Sequence, residues 1–487
     1  MTNPSTIPPS HKLLPTDAQQ LIIRAPDDWH VHLRDGRNLL QLTAPLTARH
    51  FARALVMPNL NPPVTTVRDA ESYRERIHEF APELGVFSTI FLKATTSVQD
   101  IQQARQHNVL AAKLYPQGVT TNSTAGVSSI QELYPVLRAM EAADLVLCVH
   151  GESADPNVDC VDAEETFIDR DLRPLVHNFP QLRIVLEHIT TRAAVEFVQE
   201  CYENKRGRLA ATITPHHLEL TMNDVRRYGL RPHLHCYPEA KRFSDKAALR
   251  ALATSGAPYV FAGTDSAPHS TLLKECAKGC AGVFNAPVAM AVYAQVFEEQ
   301  KSLDRLEYFT SEAGANFYQV PLNTGKIILF RNHCYVPPYF DIAGSYVQYE
   351  RDGAGHNVWA PELRFVPYRS GETLPWMVAL ASDSRERTSV MARDVRVEIY
   401  EDDATTLLHA QTVTWTDLEV EHCLMPRKDS VEQVYMRFIK DRKGQDLDKK
   451  HRACAWYVDA RPEKQPEKQW YHCTAKWQLH VSSREIY

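Results

Sequence analysis

The sequence predicts an α/β protein built on a (β/α)8 barrel of the TIM type, followed by a small β-rich C-terminal extension. Three observations carry that expectation. Eight short apolar runs alternate with helix-like stretches, the pattern of parallel strands joined by crossover helices. The runs are short, β-branched and mainly apolar and end in a polar residue, as suits strands buried on both faces. His30, His32, Asn59, Lys113, His150, His188 and Asp265 each stand at the end of a run. All strands of a parallel barrel end on one rim, and that rim carries the active sites of barrel enzymes. The rival architecture, an open doubly wound sheet, wants a Gly-rich phosphate turn after an early strand. The sequence has none there.

In chain order, residues 1–20 are polar and Pro-rich and read as a flexible lead. They lack the apolar core and small-residue cleavage site of a signal peptide. The eight runs are LIIRAPDDWHVH, ARALVMPN, VFSTIFLKAT, LAAKLYP, LVLCVHG, RIVLEHI, LAATITPHH and YVFAGTDSAPH. Helical patterns such as VRDAESYRERIHEF and SIQELYPVLRAMEAA lie between them. The barrel domain is expected to span 21–378. From 379 to 487 the character changes to alternating segments such as DVRVEIYED and EQVYMRFIKD, the period of half-buried antiparallel strands. Trp415, Trp456, Trp470 and Trp477 supply bulk for a small core there, and RPEKQPEKQ reads as a hairpin loop. His422, Cys423, Cys454, His472 and Cys473 are read as packing and surface residues, and the extension's role is not legible.

The 487 residues are 44% hydrophobic and 23% charged, with a net charge of -6. Nucleic acids and anionic membranes attract a basic field, so neither is an expected partner. No run is long enough to span a bilayer. The expectation is a cytoplasmic enzyme acting on a small molecule. Ten scattered cysteines fit a reducing compartment, and Cys276 and Cys280 in CAKGCAG are read as bystander thiols.

Chemistry enters with His30 and His32. Residues two apart on a strand face the same side, so both imidazoles can hold one ion. Together with His150, His188 and Asp265 they form a set suited to zinc. Lys113, at the end of an apolar strand, is costly as a buried ammonium. It is either a snorkelling surface residue or, beside metals, an amine that carbon dioxide converts to a bridging carbamate. Asp265 is a candidate ligand and proton relay. Arg34 offers a guanidinium that could clamp a carboxylate, with Asn59 and His269 completing the clamp.

The motifs DWHVHLRDG, VMPNLNPPVTT, AAKLYPQGVTTNS, VHGE, EHITT, TITPHHL, RPHLHC and GTDSAPHS resemble, in that order, the shorter PyrC-like bacterial dihydroorotases of the amidohydrolase superfamily. The resemblance covers about Ile22 to Tyr318 and resumes at VPYRSGETLPW. It implies a metal-dependent cyclic amidohydrolase with two Zn(2+) ions. His30, His32 and Asp265 would bind the first, and His150 and His188 the second. Lys113, as N6-carboxylysine, would bridge them. Arg34, Asn59 and His269 would hold a substrate carboxylate. Thr120 and Thr121 would lie on a closing loop, and the main chains of Tyr237 and Ala281 would meet the pyrimidine ring. Asp265 would be the catalytic proton carrier, and the chain would act as a homodimer. The implied reaction is the reversible cyclisation of N-carbamoyl-L-aspartate to L-dihydroorotate in pyrimidine biosynthesis. Dihydropyrimidinase-like or allantoinase-like activity is the alternative, followed by an inactive structural partner of another pyrimidine enzyme. Tyr237 departs from the smaller aliphatic residue common in the family, and 325–363 matches poorly.

Overall fold

The computed structural model describes residues 20–118, 126–127, 129–341, 346–351, 357–361, 364–380 and, beyond these, strands between 394 and 481. Eight parallel strands form the barrel in chain order: β2 (Asp27–Val31), β3 (Arg53–Val56), β4 (Gly85–Phe91), β5 (Val109–Leu114), β6 (Val146–Val149), β7 (Arg183–Leu186), β8 (Arg208–Ile213) and β9 (Val260–Ala262). The seam between last and first closes just past β9. Asp265 N–H donates to the His30 carbonyl at 2.8 Å, and His32 N–H donates to the Ser266 carbonyl at 3.0 Å. Inside the seam, Asp28 accepts from the Thr264 main-chain N–H at 2.8 Å.

The first apolar run is two elements, not one. β1 (Gln20–Arg24) leaves the barrel and pairs antiparallel with β10 (Lys326–Tyr335), with Gln20 opposite Phe330 and Arg24 opposite Lys326. The strand Thr373–Leu380 adds to the far side of β10, across the 378 boundary expected from the sequence. Pro26 breaks the run because it has no N–H to give a ladder. The two pieces also differ in burial. Leu21 and Ile23 are buried while Ile22 is half exposed, whereas every residue of β2 is buried.

Helices cover the barrel's outside. Val67–His78 shows why they form: Val67, Ala70, Tyr73 and Ile77 recur at helical spacing and are all buried. Thr66 and Asp69 form a capping box at its start, and Arg76 and His78 sit in its last turn, where cations suit the helix dipole. Strand alternation sends Trp29 outward into this layer, stacked on Tyr318 at 4.3 Å and Phe87 at 5.9 Å. His30 therefore points inward. Gly314 makes room for the indole, since a Cβ there would lie 2.0 Å from its Nε1.

Past residue 380 the described strands are antiparallel. One sheet orders Leu407–Thr414, Asp394–Tyr400, Trp477–Val481 and Gln469–Cys473, and a second orders Val420–Met425, Glu432–Phe438 and Cys454–Val458. The lead to residue 19, Trp415 and 461–468 lie outside the described residues. No helix among the described residues is long and apolar enough to cross a membrane. The described thiols Cys148, Cys160, Cys201, Cys236, Cys276 and Cys280 are free.

Candidate active site

Register brings the rim together. Leu114, Val149 and Leu186 stand side by side at the ends of β5, β6 and β7, so Tyr115, His150 and Glu187 follow at one level. At the seam, Asp265 Oδ1 lies 3.3 Å from His30 Nε2 and 3.1 Å from His32 Nε2, and the two imidazole nitrogens are 3.3 Å apart. His188 packs edge-to-face on both His30 and His150, with ring centroids 4.9 Å apart in each pair. Lys113 is fully buried beneath them, its ammonium against the Glu187 carboxylate and 4.9 Å from the Tyr115 ring.

The residues expected to hold a carboxylate gather on the adjoining wall. Arg34 Nη2 lies 2.8 Å from His269 Nε2, and Arg34 Nε donates to the Pro268 carbonyl at 3.2 Å. A pocket is lined by His30, His32, Arg34, Asn59, His150, His188, Tyr237, Asp265 and Ala281 among others. The structure thus unites the four histidines, Asp265, Arg34, Asn59, Tyr237 and Ala281, with His269 behind Arg34 and Lys113 under the floor. Thr120 and Thr121 lie outside the described residues.

Residues not singled out from the sequence complete the site. Glu187 Oε1 stands 2.9 Å from His30 Nδ1, leaving Nε2 to face Asp265. His150 Nε2 lies 3.0 Å from Glu152 Oε2, whose other oxygen is 3.7 Å from the buried Lys241 ammonium. The Tyr115 hydroxyl is buried without a partner among the described residues, in a side chain that lines the pocket. Tyr115 was within reach of sequence reasoning, because it lies two residues beyond Lys113, just past the end of β5. Glu187 was not. Alternation puts it opposite His188, but His188 takes a left-handed backbone (φ 42) that breaks the alternation.

Burial dominates the electrostatics. It pulls His32 down to about 3 and lowers His30, His150 and His188, which favours the ring form with a lone pair to offer. Burial pushes the Asp265 carboxyl up. The charge of His30 and hydrogen bonds from His30 and His32 outweigh it and hold the group well below the usual carboxylate range. Burial, then the Arg34 guanidinium, lowers His269 to about 2. Burial also lowers Lys113, while the touching Glu187 carboxylate works the other way.

This donor set fits divalent metal. Ligand atoms of His30, His32 and Asp265 lie within 4.8 Å of one another, as do those of His30, Glu187 and His188. The buried His188 Nδ1 has no protein partner. Imidazoles that burial disfavours as cations, beside an Asp265 carboxyl held below its usual range, suit the deprotonated ligands that such ions require.

Comparison with known proteins agrees with the geometry. Residues 22–328 match the model of the "Amidohydrolase family". A dihydroorotase of Chelativorans sp. (strain BNC1) is 52% identical over 315 residues, 64% of this chain and 90% of that protein. One from Novosphingobium aromaticivorans is 45% identical over 367 residues, 74% of this chain and 99% of its own length. Among solved structures, the dihydroorotase of Saccharomyces cerevisiae in complex with 5-fluoroorotic acid superposes with a TM-score of 0.66 at 34% identity, covering 74% of this chain and 99% of that one. The chain belongs to the metal-dependent amidohydrolase family and, within it, to the dihydroorotases.

Proposed function

We propose that this chain catalyses the reversible cyclisation of N-carbamoyl-L-aspartate to L-dihydroorotate, with loss of water, in pyrimidine biosynthesis. The observation that carries the reading is one pocket lined by both the His30–His32–Asp265 cluster and Arg34, which His269 backs at 2.8 Å. A cluster of this kind serves any cyclic amide. A guanidinium beside a neutral imidazole, with Asn59 on the same wall, is what a substrate carboxylate needs. Dihydropyrimidinase-like and allantoinase-like substrates have no use for that wall. An inactive partner protein would be expected to have lost ligands, and all are present.

Two Zn(2+) ions fit the donors. His30, His32 and Asp265 would hold one, His150 and His188 the other, and Lys113 as N6-carboxylysine would lie between. Carboxylation is an attack of the neutral Nζ amine on carbon dioxide with loss of one proton. It gives the site an anion where the sequence carries a cation. Bound metal would supply Lewis-acid activation of the amide carbonyl and a lowered pKa for water.

The protein's own groups do the rest. Arg34, Asn59 and His269 fix the carboxylate, which orients the ring amide toward Asp265. In ring opening, Asp265 takes the proton of the attacking water and delivers it to the ring nitrogen as the C–N bond breaks. Cyclisation runs the same steps backwards. Tyr237 and Ala281 border the ring, and Thr120 and Thr121 are assigned to the closing loop by resemblance. A homodimer in the cytoplasm belongs to the same reading, and light scattering on the purified chain tests the assembly.

The test is metal analysis joined to an assay of dihydroorotate opening against dihydrouracil, which lacks the carboxylate. Two zinc ions per chain and a strong preference for dihydroorotate are expected. Equal rates on both substrates would remove the carboxylate wall from the mechanism. Lys113→Ala should lose metal and recover part of it with added short carboxylates; full metal content in that variant rules out the bridge.

A further inference from the structure

Lys274 is a buried lysine with no part in the chemistry above. It ends the short helix Thr271–Lys274 and is 2% exposed. Its ammonium donates three hydrogen bonds, all to main-chain carbonyls: His235 at 3.0 Å, Cys280 at 2.8 Å and Gly282 at 2.7 Å. All three donors of the group are thereby used. The groups acting on its charge are Cys236, Cys280 and Arg34, with no carboxylate among them. A buried cation without a counter-ion is expensive and wants a compensating role.

The carbonyls it holds belong to the two loops that bring Tyr237 and Ala281 to the pocket. Cys280 and Gly282 flank Ala281. Lys274 thus holds the main chain on either side of Ala281, and Ala281 itself makes a backbone hydrogen bond to His269. The loops are also tied directly, since Gly282 N–H donates to the His235 carbonyl at 2.9 Å. Gly282 itself has φ +145, and a Cβ on it would lie 2.4 Å from the Ala267 carbonyl oxygen, so the segment cannot shift without cost.

We propose that Lys274 is a positioning residue: its buried ammonium clamps the 235–237 and 280–282 loops together and so presents the Ala281 main chain and the Arg34–His269 wall to an anionic substrate. The cation also adds to the positive potential of that wall, because it acts on His269 as Arg34 does. The substrate half of the proposal rests on the dihydroorotase reading; the clamp itself does not.

The experiment uses the zinc-loaded full chain with Lys274→Met, which keeps the length and loses the donors and charge, and Lys274→Arg, which keeps both. Lys274→Gln serves where the Met variant does not fold. Hydrogen–deuterium exchange over 280–283 is expected to rise at least about tenfold in the Met variant, with barrel peptides unchanged. KM for dihydroorotate should rise at least about tenfold while kcat stays within about threefold, and Lys274→Arg should recover part of the KM. A lysine that merely supports folding would lower the melting temperature and leave KM alone. Unchanged exchange at 280–283 overturns the clamp, and unchanged KM overturns its role in binding. If the wild-type chain opens no dihydroorotate ring, the functional reading fails, and the exchange measurement still decides the clamp.

Discussion

Replacing Arg34 with Met tests the carboxylate wall most directly. Met keeps much of the side-chain volume and removes the charge and every donor. Wild-type Arg34 is already oriented, with Nη2 2.8 Å from His269 and Nε donating to the Pro268 carbonyl at 3.2 Å. Its backbone is left-handed (φ 65), and the Tyr73 hydroxyl donates to its carbonyl. Since neither Arg nor Met prefers that backbone, the substitution changes binding more than strain. Truncating one partner of a desolvated charge pair costs about 2–5 kcal/mol. At about 1.4 kcal/mol per decade, that is roughly a 30- to 5,000-fold loss in kcat/KM for dihydroorotate. Dihydrouracil has no carboxylate to lose, so its rate should change less than about threefold. Initial rates of ring opening on both substrates, with zinc content measured on the same samples, give the ratio. Parallel losses on the two substrates would mean that Arg34 supports the metal site or the fold, and the clamp would be refuted.

Three other perturbations test the scaffold. Gly314→Ala should destabilise by about 1–3 kcal/mol despite alanine's better helix propensity, because its Cβ would meet a Trp29 held between Tyr318 and Phe87; a higher denaturation midpoint would show that the indole yields. His50 is buried, and burial lowers it from its ordinary 6.5 to about 3. The unfolded chain therefore takes up a proton below pH 6.5 that the folded chain refuses, and stability falls with falling pH by up to ~1.4 kcal/mol per unit. His50→Leu should lose about 1 kcal/mol less than wild type between pH 7.5 and 5.5 in urea titrations, and equal losses contradict a neutral His50. A chain ended at Leu380 should keep a cooperative thermal transition. One ended before Thr373 should not, because Leu374 and Trp376 are buried and Trp376 Nε1 donates to Glu298 at 2.9 Å. If both behave alike, the strand Thr373–Leu380 is not part of the core.

What could be read from the sequence follows the strength of its physical signal. The eight barrel strands were legible because each is buried on both faces, and such strands are apolar whatever their neighbours. The rim residues were legible because each ends such a run. The departure of β1 was not, since its partner β10 lies some 300 residues away and nothing local encodes that pairing; only Pro26 hints at the break. Glu187, Glu152 and Lys241 were missed because carboxylates and lysines are common, and only the fold shows that these three are buried, with Glu187 beside His30, Glu152 beside His150 and Lys241 beside Glu152. Lys274 carries no local signal of its role, because its three carbonyl partners come from two separate segments.

The backbone of the site carries a further regularity. Arg34, His188 and Asp265 have φ values of 65, 42 and 46, a region that side chains with a Cβ enter at a cost of about 1–2 kcal/mol each. Each is tied by its main chain to something rigid. His188 N–H donates to Thr212 Oγ1 at 2.7 Å, Asp265 N–H to the His30 carbonyl at 2.8 Å, and the Arg34 carbonyl accepts from Tyr73. Ordinary strand geometry would send successive side chains alternately in and out. The left-handed step at each of these positions re-aims a side chain at the pocket that alternation would have turned elsewhere. The closed barrel absorbs that strain because its hydrogen-bonded strands cannot relax one residue at a time. A looser scaffold bearing the same residues would let them return to extended geometry, and the imidazole, carboxylate and guanidinium groups would no longer share one pocket.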